Sequence, residues 1–247
     1  MDFLSVIIPT YNSEKTIKRC LASLFRQNYR NFEICIIDGC STYGTLSILS
    51  NDYSHFNNLR ILVSPDKGIY DAMNKGIKAA NGNWIYFLGS DDEVFDESVF
   101  SDIFSLDIHS EVEFIYGNIF SRGKTLWSEG SQVYDGSFDQ KKILTKNICH
   151  QSIFYRKSLF DRLGCYKSKY IICADWEINL RFLSRTKSIF VDKIIAIFHE
   201  DGLSSKKTDP IFGRDFKFLK VKFLIERFFY DLNYNFIERI YSKNFIK

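Results

Sequence analysis

The sequence lacks the patterns that mark several common classes of protein. None of its apolar runs approaches the roughly 20 residues that a helix needs to cross a bilayer, so we expect any contact with a membrane to be peripheral. The six cysteines form no Cys-x-x-Cys pair and follow no secretory signal, which predicts buried, reduced thiols in a cytoplasmic protein. The net charge of only +3 gives no indication of nucleic-acid binding.

Two common nucleotide-binding signatures are also missing. The first apolar run is not followed by Gly-x-Gly-x-x-Gly, and Gly-x-x-x-x-Gly-Lys-Ser/Thr does not occur, so the chain has neither a dinucleotide fingerprint nor a P-loop. What the chain does have is 45% hydrophobic residues over 247 positions. That is enough to build the core of one α/β domain or of two small ones.

Strand-like and helix-like patterns alternate through the first part of the chain. Short apolar runs predict strands at residues 3–9, 33–37, 59–63 and 84–88, with amphipathic helices between them. In the first helix apolar residues recur at helical spacing from Ile17 to Leu24, and Asn12 or Ser13 is its expected cap. The alternation predicts a mostly parallel sheet with helices on both of its faces.

Polar residues gather directly after each predicted strand. They are Tyr11 and Asn12, Asp38 and Ser41, Asp66, and the pair Asp91 and Asp92. Because the carboxyl ends of parallel strands share one edge of a sheet, these residues predict a ligand site there. A metal ion held by Asp92 could bridge a diphosphate, and Asp38 would be free to accept a hydrogen bond from a base. The alternatives are local roles: Asp38 in a turn, Asp66 as a helix cap, and Asp71 paired with Lys75.

Four segments in this order and spacing resemble glycosyltransferase family 2, the inverting enzymes with the GT-A fold that use nucleotide-diphosphate sugars. The segments are SVIIPTYN, IIDGCST, PDKGIYDAMNKGI and FLGSDD. The resemblance is dense over residues 3–92 and continues more thinly to about residue 204. Two positions depart from the family pattern, since Tyr43 and Ser90 stand where the family often has acidic residues.

The resemblance implies a role for each residue at the sheet edge. Pro9, Tyr11 and Asn12 would line the nucleotide pocket, and Asp38 would recognise the base, usually uracil. Asp66 would lie near the nucleotide, and Asp91 near the ribose or the sugar. Asp92 would be the ligand of Mg²⁺ or Mn²⁺. With Ser41 and Asp71, these residues form the predicted nucleotide-sugar site.

The second half of the chain supplies the remaining candidates. Patterns there predict a helix at 97–104, a strand at 113–118, a strand pair turning near 122–124, and a strand at 148–156. The resemblance places His150 and Gln151 near the donor or acceptor sugar. In the helix that begins near Ala174, it makes Asp175 the general base, with Glu177 as the fallback and Trp176 beside them. His199 could complete the metal shell, and the loop at 199–205 could close over the diphosphate.

The composition changes in the last segment, residues 206–247. From residue 214 onward it holds eight basic and four acidic side chains, a net charge of +4, together with a helical stripe that runs from Phe212 to Tyr230. Such a tail suits the anionic surface of a bilayer. The alternative is a helix that packs back on the domain. We expect residues 1–205 to form the GT-A domain, with 1–92 binding the nucleotide sugar and 93–205 facing the acceptor.

These features predict an inverting glycosyltransferase. It would move one hexose or N-acetylhexosamine from a UDP-sugar to a lipid-diphosphate-linked saccharide in bacterial surface-polysaccharide synthesis, on the inner face of the plasma membrane. The absence of Gln-x-x-Arg-Trp argues against a processive synthase. The alternatives are transfer to polyprenyl phosphate itself, a nucleotidyltransferase, and a non-catalytic nucleotide-sugar-binding protein.

Overall fold

The computed structural model describes residues 2–42, 44–122, 131–199 and 208–244. The strands are β1 (Leu4–Thr10), β2 (Phe32–Asp38), β3 (Leu59–Val63), β4 (Trp84–Phe87), β5 (Glu93–Val94), β6 (Val112–Arg122), β7 (Gln132–Tyr134), β8 (Ile153–Arg156) and β9 (Lys187–His199). The α-helices are α1 (Ile17–Phe25), α2 (Thr45–Tyr53), α3 (Ile69–Ala79), α4 (Val99–Phe104), α5 (Lys157–Leu163), α6 (Ala174–Leu183) and α7 (Pro210–Asn244).

The strands form one sheet in the order β3-β2-β1-β4-β8-β6-β9-β5, and β7 pairs with β6. The four strands that alternate with helices in the sequence, β1 to β4, are parallel as predicted. Beyond them the sheet is mixed, because β8 runs antiparallel to both β4 and β6, whereas β6 and β9 are parallel. The carboxyl ends of β1, β2 and β4 therefore lie side by side, which is the edge where the polar residues were expected.

Helices cover both faces of the sheet, so the central strand β4 is buried on both of its sides. Its side chains are fully buried and point alternately into two cores. Ile85 and Phe87 pack with residues of α3, α5, α6 and α7 on one face, whereas Trp84 and Tyr86 pack with α1 and α4 on the other. A strand buried on both sides has to be apolar throughout, which explains the continuous run in the sequence.

Several local predictions need correction. The first helix begins at Ile17 after Thr16, without a side-chain cap. Neither expected cap is used, because the Asn12 side chain is hydrogen-bonded to Thr42, and the Ser13 hydroxyl contacts the Tyr11 carbonyl and the Ser90 hydroxyl. Residues 150–152 form a 3-10 helix, so the strand predicted over 148–156 is confined to β8. The cysteines are free, but Cys40 is exposed, and only Cys20 and Cys35 are buried. The turn expected near 122–124 and Tyr43 lie outside the described residues.

The helix α7 packs back on the domain through one face. Phe212, Leu219 and Phe223 are buried there, and Phe212 and Phe216 pack against the indole of Trp176 in α6. These residues belong to the stripe seen in the sequence, so the packing alternative is confirmed for this face of the helix. Within the described residues, no helix combines the length and apolarity needed to span a membrane.

Candidate active site

The loops after β1 and β2 are joined through Asp38. This carboxylate is fully buried, and it accepts hydrogen bonds from the backbone N–H of Ser41 at 2.7 Å and from its hydroxyl at 2.6 Å. The Ser41 hydroxyl oxygen accepts a hydrogen bond from the N–H of Asn12 at 2.9 Å. Asn12 has a left-handed backbone (φ 49°), which asparagine tolerates better than most residues. The three predicted residues therefore form one connected group, and Asp38 supports it from within rather than presenting a free carboxylate.

Tyr11 and Asp66 approach each other across Gly39. A side-chain carbon at Gly39 would lie 2.4 Å from a carboxylate oxygen of Asp66 and 3.5 Å from the ring of Tyr11. Glycine is therefore needed for this contact. The Tyr11 side chain is 62% exposed, so its ring is open to a ligand. Pro9 lies in β1 opposite Ile37, one residue before the strand ends.

Asp71 has only local partners among the described contacts. Its carboxylate accepts a hydrogen bond from the N–H of Lys67 at 3.1 Å and lies 3.3 Å from the ammonium of Lys75. The Lys67 amide, together with the charge of Lys75, holds the pKa of Asp71 below its usual value. The alternative interpretation of Asp71, a pair with Lys75, is therefore confirmed. The carboxylate of Asp66 likewise accepts a hydrogen bond from the N–H of Gly68, just before α3.

Asp92 is a buried carboxyl group in the loop that follows β4. Its Oδ1 accepts a hydrogen bond from the backbone N–H of His199 at 2.9 Å, and its Oδ2 accepts one from Nε2 of Gln151 at 2.8 Å. Burial, together with the neighbouring charge of Asp91, raises the pKa of Asp92 to about 7. Near neutral pH this carboxyl group is therefore close to the midpoint of its titration.

The backbone before Asp92 is held close to both acids. A side-chain carbon at Gly89 would lie 2.4 Å from Oδ2 of Asp92 and 2.8 Å from Oδ1 of Asp91, so this position requires glycine. The hydroxyl of Ser90 lies 2.8 Å from the hydroxyl of Ser13, which ties this loop to the loop after β1. Ser90, one of the two departures from the family pattern, thus has a structural contact of its own.

The described residues supply only part of the set of ligands that a divalent cation needs. No group of three or more His, Cys, Asp and Glu side chains in the described ranges could hold a metal ion. The imidazole of His199 contacts Glu93 at 3.1 Å, and only its backbone N–H reaches Asp92. However, Mg²⁺ is commonly held by one or two carboxylates plus substrate phosphates. A buried, high-pKa carboxyl beside a second acid is suited to that kind of site, because a cation would relieve their repulsion.

Asp175 lies in the first turn of α6 among several hydrogen-bond donors. Its Oδ1 accepts hydrogen bonds from the N–H of Trp176 at 2.8 Å and from the hydroxyl of Tyr70 at 3.2 Å. Its Oδ2 accepts one from Nδ2 of Asn147 at 2.9 Å and lies 3.5 Å from Nδ1 of His150. The carboxylate is 16% exposed, so it is held firmly while one side remains open. These contacts orient it as a general base requires.

One turn, residues 147–151, connects Asp175 to Asp92. Asn147 and His150 contact Asp175, and the next residue, Gln151, donates to Asp92. The thiol of Cys149 donates to the side-chain oxygen of Gln151 at 2.8 Å, which fixes the orientation of that amide. The structure thus brings His150 and Gln151 between the acid after β4 and the acid on α6.

Two residues of α6 have structural contacts instead of the expected acceptor-facing ones. Glu177 is only 2% exposed and is paired with Lys167 at 2.6 Å and with Arg181 at 2.8 Å. Burial alone would raise the pKa of Glu177, but the hydrogen bonds and charges of Arg181 and Lys167 hold it below its usual value. Trp176 donates its indole N–H to the carbonyl of Ile143 and packs on α7. Glu177 is therefore not available as the fallback base.

Sequence reasoning missed two residues that hold Asp175, namely Tyr70 and Asn147. Tyr70 lies within the family segment PDKGIYDAMNKGI, and this position could have marked it as a candidate site residue. Its contact with Asp175 could not be predicted, because the two residues are 105 positions apart in the sequence. Nothing in the local pattern marks Asn147. The described part of the chain also has a cavity of about 390 Å³ lined by Phe3, Phe32 and Asn81, but these residues lie at the opposite, amino edge of the sheet. The loop at 200–205 lies outside the described residues.

The chain resembles known glycosyltransferases over most of its length. The family model described as "Glycosyl transferase family 2" matches residues 5–164. A PGL/p-HBAD biosynthesis glycosyltransferase of Mycobacterium bovis is 35% identical over 216 residues, which cover 84% of this chain and 81% of the relative. A dolichyl N-acetyl-alpha-D-glucosaminyl phosphate 3-beta-D-2,3-diacetamido-2,3-dideoxy-beta-D-glucuronosyltransferase of Methanococcus voltae is 40% identical over 94 residues, 36% of this chain and 29% of the relative.

The fold also resembles a solved structure. The crystal structure of S. aureus TarS in complex with UDP-GlcNAc has a TM-score of 0.72, with 22% sequence identity. The similarity covers 91% of this chain but 66% of the TarS chain, so TarS is the longer protein. At this level of identity the likeness shows a shared GT-A fold.

Proposed function

This chain belongs to glycosyltransferase family 2, and on that premise we propose that it transfers a single hexose or N-acetylhexosamine, with inversion, from a UDP-sugar to a lipid-diphosphate-linked saccharide. The observation that carries the proposal is the turn at 147–151, which contacts Asp175 on one side and Asp92 on the other. The base for the acceptor hydroxyl and the carboxylate that would hold a metal ion at the leaving diphosphate are thereby linked through one segment.

The donor would bind at the carboxyl ends of β1, β2 and β4. Tyr11, which is exposed, would cover the nucleotide, and Asn12 and Asp66 would contact it. Asp38 would set the shape of the uracil pocket through Ser41, because its carboxylate is already bonded to that residue. The TarS complex with UDP-GlcNAc supports a nucleotide-sugar donor for this fold. Asp91 would contact the ribose or the sugar.

The transfer step would use Asp175 as the general base. The acceptor hydroxyl attacks the anomeric carbon from the face opposite the diphosphate, and its proton passes to Asp175. The new C–O bond forms as the bond to the diphosphate oxygen breaks, and the electron pair leaves with UDP. A Mg²⁺ or Mn²⁺ ion held by Asp92, with Asp91 beside it, would neutralise the charge on that leaving group. Tyr70 and Asn147 would keep the base in place.

The acceptor class rests on two kinds of support. The name of the relative in Methanococcus voltae contains dolichyl N-acetyl-alpha-D-glucosaminyl phosphate, which supports a lipid-linked saccharide but with one phosphate, and the match covers only part of each chain. The described chain has no spanning helix, but α7 presents apolar side chains outward, so a lipid-linked substrate could be met at the surface of a membrane. We accordingly propose that the enzyme acts at the inner face of a bacterial plasma membrane, in the synthesis of a polysaccharide.

A donor screen tests this proposal. Purified protein with Mg²⁺ or Mn²⁺ is expected to release UDP from at least one UDP-sugar, and Asp175→Ala is expected to bind UDP while losing transfer and donor hydrolysis. Full activity in Asp175→Ala would refute the assignment of the base. Release only from GDP- or dTDP-sugars would refute the uracil assignment, and release of inorganic diphosphate would indicate a nucleotidyltransferase instead.

A further inference from the structure

The helix α7 exposes a second apolar face, opposite the face that packs on the domain. We call it the outer face of α7, and it consists of Phe218, Val221, Leu224, Ile225, Phe228, Phe229 and Leu232. At 100° per residue these side chains fall on one side of the helix, about 180° from the buried Leu219 and Phe223. Phe218, Phe228 and Phe229 are 69%, 60% and 58% exposed. A helix that is apolar on both sides has a second surface to bury.

The charged side chains of α7 are distributed unevenly around the helix. The acids are engaged on the protein side, where Asp215 pairs with Lys169 at 2.7 Å and Glu226 accepts a hydrogen bond from Ser184 at 2.9 Å. Asp231 pairs with Arg227 at 2.9 Å. By helical position Arg214 and Lys217 fall within the outer face and Lys222 on its border. Arg214 also contacts Asp215 at 3.0 Å and Lys222 contacts Glu226 at 3.6 Å, whereas Lys220 lies over the ring of Phe216 toward the inner side. The outer face is therefore apolar, with the basic side chains of Arg214 and Lys217 at its amino-terminal end and Lys222 at its border.

We propose that the outer face of α7 binds the anionic surface of a lipid bilayer, with the helix lying along the membrane. Exposed phenylalanines with bases among and beside them are the pattern of helices that sit at the interface between headgroups and acyl chains. The same charge argues against a second copy of this chain as the occupant, because two such faces would bring like charges together. An anionic headgroup layer supplies the complementary charge instead.

The bilayer contact would also orient the active site. The carboxylate of Asp209, just before α7, accepts hydrogen bonds from the N–H groups of Ile172 and Cys173, which lead directly into α6. Phe216 on the inner side of α7 packs against Trp176, the neighbour of Asp175 in the chain. Helix α7 and helix α6, which carries Asp175, are therefore packed together as one unit. That this packing brings Asp175 near a lipid-linked acceptor rests on the proposed function, whereas the binding of α7 to a bilayer does not.

Vesicle binding by the full chain tests the surface. Flotation with phosphatidylcholine vesicles, with and without about one third phosphatidylglycerol, is expected to show at least about tenfold tighter binding to the anionic vesicles. About 0.5 M salt should remove most of that preference, because it shortens the Debye length to a few ångströms. The double variant Phe218→Ser/Phe228→Ser should lower binding by about tenfold or more. The matched control Leu62→Ser/Leu106→Ser removes exposed side chains elsewhere and should bind as the unchanged protein does.

Three results would overturn the inference: equal binding of both double variants, equal binding to neutral and anionic vesicles, or a dimer in light scattering that the Phe218→Ser/Phe228→Ser change converts to monomer. Circular dichroism checks that each variant is folded. UDP release with a soluble acceptor, measured on the same preparations, separates the two proposals. Vesicle binding without any sugar transfer would refute the proposed function alone, whereas transfer without vesicle binding would refute only the membrane surface.

Discussion

Replacing Asp92 with asparagine is expected to stabilise the metal-free protein at about pH 8 while abolishing its metal-dependent binding of UDP. The carboxyl is 1% exposed, so its ionised form is held out of water and beside the charge of Asp91. Asparagine has nearly the same shape and can still accept the hydrogen bond from the N–H of His199. Its amide nitrogen would face the Nε2 donor of Gln151, and this contact offsets part of the gain. The substitution therefore removes the buried charge with little change in packing.

The magnitude follows from the pKa of Asp92, which is about 7 in the folded protein against an ordinary value of 3.8. The folded state binds this proton more tightly than the unfolded state does. The stability it contributes is fully present below about pH 4 and is lost as the pH rises through 7. The difference in pKa corresponds to about 4 kcal/mol at most, or about 8–16 °C in melting temperature for a chain of this size.

Melting curves from about pH 5 to pH 8, without and with Mn²⁺ and UDP, provide the assay. The unchanged protein should lose stability relative to Asp92→Asn as the pH rises, and Mn²⁺ with UDP should restore stability only to the unchanged protein. Asp107→Asn makes the same chemical change at an exposed site and should leave the pH profile as it is. If Asp92→Asn melts below the unchanged protein at pH 8 without metal, or follows the same pH profile, the reasoning is refuted.

Three further substitutions probe the rest of the site. Asp175→Asn should lower turnover by about 10²–10⁴-fold with little change in the affinity for UDP, as steady-state kinetics and calorimetry would show. The melting temperature should fall slightly, because the new amide nitrogen faces a donor such as Nδ2 of Asn147. Glu177→Ala should instead lower the free energy of unfolding by about 3–5 kcal/mol in urea titrations, because it leaves the charge of Arg181 buried and unpaired. Gly89→Ala should weaken metal-dependent UDP binding by about tenfold or more in calorimetry, since the added carbon would lie 2.4 Å from Oδ2 of Asp92.

The first half of the site could be predicted because its information is local. The strands β1, β2 and β4 are short, strongly apolar and bounded by turn residues, and parallel pairing puts their carboxyl ends at one edge. The residues that follow them, Asn12, Asp38 and Asp92, could therefore be placed from the chain alone. Their partners could not, because the bond between Asp38 and Ser41 depends on the path of the loop.

The second half of the site depends on contacts between distant segments. Asp175 and Glu177 are two positions apart on α6 and so point to different sides of the helix. Only the packing of Arg181 and Lys167 against Glu177 decides which acid is open. In the same way, hydrophobic periodicity could not separate the 3-10 turn at 150–152 from β8, although this turn is what brings His150 to Asp175.

The serine at position 90 determines how many carboxylates the loop after β4 can offer to a cation. Where the family often has an acid, Ser90 holds the loop after β4 to Ser13 in the loop after β1. In the proposed function, charge compensation for a cation would then fall on Asp91 and Asp92, and Asp92 carries its charge only as the pH rises through about 7. Binding of the cation must therefore compete with a proton at neutral pH, so the affinity for metal should rise between about pH 6 and 8. An acid in place of Ser90 would add a third carboxylate as a ligand. It would also remove the hydrogen bond between the two loops and add a like charge beside a carboxyl that burial already makes difficult to ionise.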